Sequence, residues 1–250
     1  MTDVQGLVEL PENVVRVYVC VLDELPSSLY EQCAAVLSED EVKRWQRFRF
    51  EDDRDQYLVA HGLLRWSLSQ VVAVAPERWE FATGDRGKPK IAGPQATESL
   101  YFNLTHTRGL VACAVARQEV GIDAECLTRR INPKLAERYF APFEQNYLKQ
   151  LPASQVNREF LKIWTLKESY IKALGAGLSR GLDDFWFRFQ PGLSPELCVE
   201  EPLAEESSRW MFYVEESLSS DHVVSVAASR NLEPNNSFEI RRVASFAINS

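Results

Sequence analysis

Asp123 and Glu125 stand two residues apart at the end of Val-Gly-Ile-Asp-Ala-Glu, a run that reads as a short strand. Alternate side chains of a strand leave the same face, so the two carboxylates would share one side. At that separation both stay ionised only beside a compensating charge, and an all-oxygen donor set suits a hard cation such as Mg²⁺. A solvated strand edge would carry the same residues. Glu168 and Lys172 lie four apart in FLKIWTLKESYIKAL and share a helix face at the border of the apolar stripe Phe160, Trp164, Ile171, Leu174. An isolated pair of this kind is an ordinary helix ion pair, worth about 0.2–0.5 kcal/mol. The flanking aromatics and the Gly175-Ala176-Gly177 exit suit a helix packed on a ligand. His106, after Asn103 and Thr105 and before Arg108, could complete an anion-binding concavity at a turn. Lys88 in Gly87-Lys88-Pro89 offers a cation on a tight turn, which is also a common surface feature. His61 and His222 read as structural, and no histidine–cysteine cluster has zinc spacing.

These residues need elements to hold them. The spacing predicts strands over Val14–Leu22, Arg78–Thr83, Leu100–Asn103, Leu110–Ala116, Val120–Glu125, Asp184–Phe189, Trp210–Val214 and Val223–Ala227. Thr105–Gly109 would be the corner of a hairpin. Ser38 and Glu41 stand at capping-box spacing before a helix over Asp40–Phe50. A second helix is expected over Arg54–Val74, two short ones over Pro133–Tyr147 broken at Pro142, and a long one over Ser154–Leu174. Pro191–Ser208 and Asn231–Ser237 read as polar loops, and no internal repeat is visible.

The chain has 250 residues, with 28 Lys+Arg against 36 Asp+Glu for a net charge of −8, which argues against coating a nucleic acid. A locally basic pocket for a small anion stays open. The five cysteines lack C-x-x-C spacing, as buried thiols in a reducing compartment would. No secretory signal pattern opens the chain, and the longest apolar runs fall far short of the roughly 20 residues of a membrane span. A cytoplasmic protein is the expectation. The phosphate-loop, dinucleotide, nucleophile-elbow and zinc-protease motifs are all absent.

In chain order, Gly87-Lys88-Pro89, Asn103-Leu104-Thr105-His106, Gly121-Ile122-Asp123-Ala124-Glu125 and Trp164–Ala173 closely resemble the Sfp-type 4′-phosphopantetheinyl transferases. These enzymes move the phosphopantetheine arm of coenzyme A onto a serine of acyl or peptidyl carrier proteins. The resemblance runs from about Ser38 to Phe187. It implies an α+β fold of two similar α/β halves related by a pseudo-two-fold, divided here as residues 1–118 and 119–250, with the cofactor between them. It also implies Mg²⁺ on Asp123, Glu125 and Glu168, and a phosphate contact by Lys172. The base would be Glu144 or Glu168, with Glu144 alternatively touching the metal through water. Coenzyme A contacts carry over to Arg44, Arg86, Gly87, Lys88, Asn103, Thr105 and His106, beside Asp123, Glu168 and Lys172. A monomer with one cleft, no nucleic acid and no membrane partner is the expected assembly. The chain departs from some relatives in having Glu41 where they carry a lysine, so the grip on the 3′-phosphate would weaken or shift to Arg47 or Arg86. A binding module without transfer, or another Mg²⁺-dependent phosphotransferase using D-x-E, are the competing expectations.

Overall fold

The computed structural model describes residues 9–84, 87–96, 99–175, 180–190, 192–200, 204–230 and 235–246. In the first half, β1 (Val14–Val21) is followed by α1 (Ser27–Val36), α2 (Glu39–Trp45) and α3 (Glu51–Ser69). The hairpin β2 (Glu80–Thr83) and β3 (Pro89–Ala92) comes next, then β4 (Tyr101–Thr107) and β5 (Leu110–Ala116). The second half holds β6 (Val120–Cys126), α4 (Leu135–Tyr139), α5 (Pro142–Gln150), α6 (Ala153–Leu174), β7 (Phe185–Arg188), β8 (Glu196–Val199), α7 (Ala204–Ser208), β9 (Trp210–Glu215) and β10 (His222–Ser229). The last strand is β11 (Ser237–Arg242).

The strands β4, β5 and β1 form a sheet with β5 in the middle, antiparallel to both neighbours. In the same chain order, β9, β10 and β6 form another, with β10 in the middle. A long helix and a two-stranded hairpin separate the outer strands in each case, so the expected pair of similar α/β halves is present without a sequence repeat. The expected boundary falls between β5 and β6, but the chain does not stay in the second half. Strand β11 returns to pair parallel with β1, and Val243 and Phe246 enter the first half's core.

The sheets pack face to face through Val15, Val17, Val19 and Ala112 on one side and Ile122, Ala124, Val224 and Val226 on the other. The opposite faces are covered by α1 and α3 on the first sheet and by α6 on the second. Burial on both faces is why β1 is a nearly continuous apolar run rather than an alternating one.

Differences from the sequence reading are local. Helix α2 ends at Trp45, five residues early, although its capping box is real: Glu41 N–H donates to Ser38 Oγ and Ser38 N–H to Glu41 Oε2. Strand β4 continues to Thr107, leaving Arg108-Gly109 as the turn, so Thr105 and His106 are strand residues and not a corner. Helix α1 and strands β3 and β11 were not expected, and β8 lies inside the presumed Pro191–Ser208 loop. All five thiols are buried and free, and burial pushes those of Cys33 and Cys113 up to about 12. Among the described residues, no helix is long and apolar enough to cross a membrane.

Candidate active site

Along β6, Val120, Ile122 and Ala124 point into the layer between the sheets, so Gly121, Asp123 and Glu125 face α6. Only glycine permits this approach: a Cβ on Gly121 would lie 2.0 Å from the Ser169 carbonyl oxygen and 2.3 Å from the Ala173 nitrogen. On α6, Trp164, Glu168 and Lys172 recur every four residues and stack over the same strand. Together they border a cleft of about 510 Å³ whose walls also include Thr105, His106 and Arg129. A smaller cavity of about 340 Å³ shares Glu168 and Lys172 and is bounded by Gly87, Leu104, Ile171 and Leu182.

The Lys172 ammonium donates to Asp123 Oδ1 at 2.6 Å, to the Ile122 carbonyl at 3.2 Å and to Thr105 Oγ1 at 3.4 Å. Thr105 Oγ1 in turn donates to Asp123 Oδ1 at 3.3 Å. Arg129 pairs with Glu125. Glu168 has no hydrogen-bond or ion-pair partner among the described residues. Burial raises the proton affinity of Asp123, Glu125 and Glu168 above the ordinary carboxylate range. Lys172 and Thr105 oppose that at Asp123, and Arg129 opposes it at Glu125. At Glu168 the charge of Asp123 pushes the same way as burial, and Lys172 opposes. Three crowded acids thus face two cations, an imbalance that a divalent ion would relieve, and their oxygens are the donors a hard ion takes. As they stand they do not converge: among the described residues no three acidic, histidine or cysteine side chains are grouped as metal ligands.

The family model described as the 4′-phosphopantetheinyl transferase superfamily matches residues 119–227, and the one for the N-terminal region of 4′-phosphopantetheinyl transferases matches residues 26–118. The transferase HetI of Nostoc sp. is 37% identical over 173 residues, covering 68% of this chain and 73% of HetI. This chain belongs to the 4′-phosphopantetheinyl transferase superfamily. Another relative, the 4′-phosphopantetheinyl transferase Sfp of Bacillus subtilis, is 30% identical over 70% of this chain and 76% of its own. Among solved structures, the Thermotoga maritima holo-[acyl-carrier-protein] synthase aligns over 45% of this chain and 64% of its own, with 26% identity and a TM-score of 0.36. The Bacillus anthracis synthase in complex with coenzyme A (3′,5′-ADP) aligns over 45% and 96%, with 23% identity and a TM-score of 0.37.

The other residues expected in the transferase site are distributed differently. Glu144 is not in the cleft. It is buried, with Oε2 2.7 Å from Lys167 Nζ, and accepts the Phe187 and Ala141 N–H groups at 3.0 and 3.2 Å. Three of its about four acceptor directions are thus taken inside the core, away from the cleft where the resemblance expects a base or metal contact. Asn103 Oδ1 accepts the Ile122 N–H at 2.9 Å, which ties β4 to β6 beside Asp123. The Lys88 ammonium faces carbonyl oxygens rather than open solvent. His106 leaves the strand face opposite to Thr105 and sits exposed at the cleft mouth. There desolvation by the surrounding protein, then the charges of Lys172 and His61, hold its pKa below the usual value. Arg44 is exposed, 5.8 Å above the Tyr57 ring. Arg86 lies outside the described residues.

Glu41 is also accounted for. Its oxygens lie 2.8 Å from His61 Nδ1 and 2.6 Å from Arg65 Nη2. Burial alone would raise its pKa, but the bonds from His61 and Ser38 and the charge of Arg65 bring it down to about 2. Arg129 was missed by the sequence reading: it lies on the turn after β6, where only its position four residues beyond Glu125 hinted at contact.

Proposed function

We propose that this enzyme transfers the 4′-phosphopantetheine group of coenzyme A to a serine of an acyl or peptidyl carrier protein and releases 3′,5′-ADP. The observation that carries this reading is the joining of Asp123, Glu125, Glu168 and Lys172 in one cleft by a strand and a helix. Asp123, Glu125 and Glu168 would hold Mg²⁺, which when bound neutralises charge on the pyrophosphate. Lys172 and Arg129 would then turn from their carboxylates toward the phosphates. Glu168, which has no partner among the described residues, would accept the serine proton, directly or through a water. The serine oxygen bonds to the phosphorus bearing pantetheine as the bond from that phosphorus to the oxygen of 3′,5′-ADP breaks. Lys172 would balance the charge that the departing nucleotide gains.

The cavity beyond Glu168 and Lys172, walled by Leu104, Ile171 and Leu182 and bordered by Lys88, Asn103 and Arg180, would take the arm, whose methyl and methylene groups alternate with amides. Thr105 and His106 offer hydrogen bonds to the nucleotide end. The pairing of Glu41 with His61 and Arg65 gives that residue a structural task. Incubating the protein with an apo carrier, coenzyme A and Mg²⁺ should increase the carrier's mass by one phosphopantetheine. Binding of coenzyme A with no mass gain on any carrier of a fatty-acid, polyketide and peptide panel would leave only the binding module.

A further inference from the structure

The turn before β3 carries the cation that resemblance assigns to the nucleotide, yet its geometry describes another task. Lys88 Nζ donates to the Lys172 carbonyl at 2.7 Å and to the Val120 and Ala173 carbonyls at 3.3 Å each. An ammonium has three N–H donors, and all three are used. Two of the acceptors belong to the last turn of α6, where carbonyls lack helical partners and the helix dipole favours a cation. The helix stops there at Gly175, left-handed at φ +61°, whose own N–H also bonds the Lys172 carbonyl. The third acceptor opens β6, three residues before Asp123.

We infer that Lys88 is a positioning residue: its side chain clamps the end of α6 to the start of β6, fixing Lys172 over Asp123, and does not grip the nucleotide. Asn103 supports the same join from β4 by accepting the Ile122 N–H. A lysine of the first half thereby aligns two second-half elements that carry the cleft's charges. A phosphate would have to strip the ammonium from carbonyls at a helix end, where only partial burial lets water replace it. The inference deepens the proposed transfer and rests on it for its catalytic consequence.

The test compares the full-length Lys88→Met, Lys88→Gln and Lys88→Arg variants with the wild type. For Lys88→Met, kcat should fall about tenfold or more, because small misplacements of reacting groups are costly. The Kd for 3′,5′-ADP, which lacks the arm, should change by no more than about twofold. Amide hydrogen exchange over residues 172–175 should quicken. Lys88→Gln, which keeps two donors, should fall between and serves if the methionine variant does not fold. Lys88→Arg should not restore kcat, since a planar fork cannot converge on three carbonyls as an ammonium does. A rise of about tenfold or more in the 3′,5′-ADP Kd that arginine rescues, or unchanged exchange over 172–175, overturns the inference. If wild-type protein binds neither coenzyme A nor 3′,5′-ADP, the proposed function fails instead, and the exchange measurement still decides whether the clamp exists.

Discussion

Helix α6 presents two lysine–carboxylate pairs five residues apart, and they differ in every respect except chemistry. In the core, Lys167 and Glu144 are 0% and 1% exposed; the lysine also donates to the Leu182 and Phe185 carbonyls, and the glutamate accepts two backbone N–H groups. At the cleft, Lys172 and Asp123 are 31% and 11% exposed, and the neighbouring Glu168 has no partner among the described residues. The first pair is enclosed in the core, with backbone groups occupying the rest of both side chains. The second is bordered by excess negative charge and space, so its members can exchange partners. Function follows from what the surroundings leave unsatisfied.

The sharpest way to break this comparison is to cut each pair. Lys172→Met should lower kcat about 10²–10³-fold, the scale of losing one charge-stabilising donor, with the Tm little changed. Lys167→Met leaves Glu144 buried without its cation and should destabilise the fold by about 3–5 kcal/mol in urea, while the folded fraction keeps its kcat. Replacing both members, Lys167→Met with Glu144→Leu, should recover most of that stability, since a buried pair can be exchanged for apolar groups of similar size. If the double variant folds well but loses transfer, the core pair has a catalytic share and the contrast collapses.

A smaller effect concerns Glu41. Its folded-state pKa of about 2 lies below the ordinary value of 4.5, so its stabilisation is complete above that value and is lost as pH falls toward 2. Glu41→Gln should therefore lower the Tm at pH 7 and converge with wild type near pH 2, as thermal unfolding across pH would record. Least of all, salt should weaken affinity for an acidic carrier only modestly, because a chain at −8 offers it no whole-molecule attraction for salt to screen. Affinity measured from low to high salt checks this, and a steep loss would point to a basic docking face.

Much of the cleft was legible because local periods carry it. Asp123 with Glu125 obeys the period of two, and Glu168 with Lys172 the period of four, so each pair's common face could be read without knowing what lay opposite. The structural bonds of Lys88, Asn103 and Glu144 were illegible for a shared reason. Their tasks are set by partners 19 to 85 residues away, and a motif position does not say whether a side chain's bonds are already taken. Strand β11 was illegible likewise, since its place depends on pairing with β1 across the whole chain, reinforced by Arg16 reaching Glu239 at 3.0 Å. The doubling of the fold left no trace as repeated residues because each half needs only the same pattern of burial.

The central claim is that the open charges of β6 and α6, and not the buried glutamate, perform the transfer. Mass spectrometry of an apo carrier incubated with coenzyme A, Mg²⁺ and either Asp123→Ala or Glu144→Gln tests it most directly. The account predicts a phosphopantetheine mass gain with folded Glu144→Gln and none with Asp123→Ala; full transfer by Asp123→Ala, or none by folded Glu144→Gln, would contradict it.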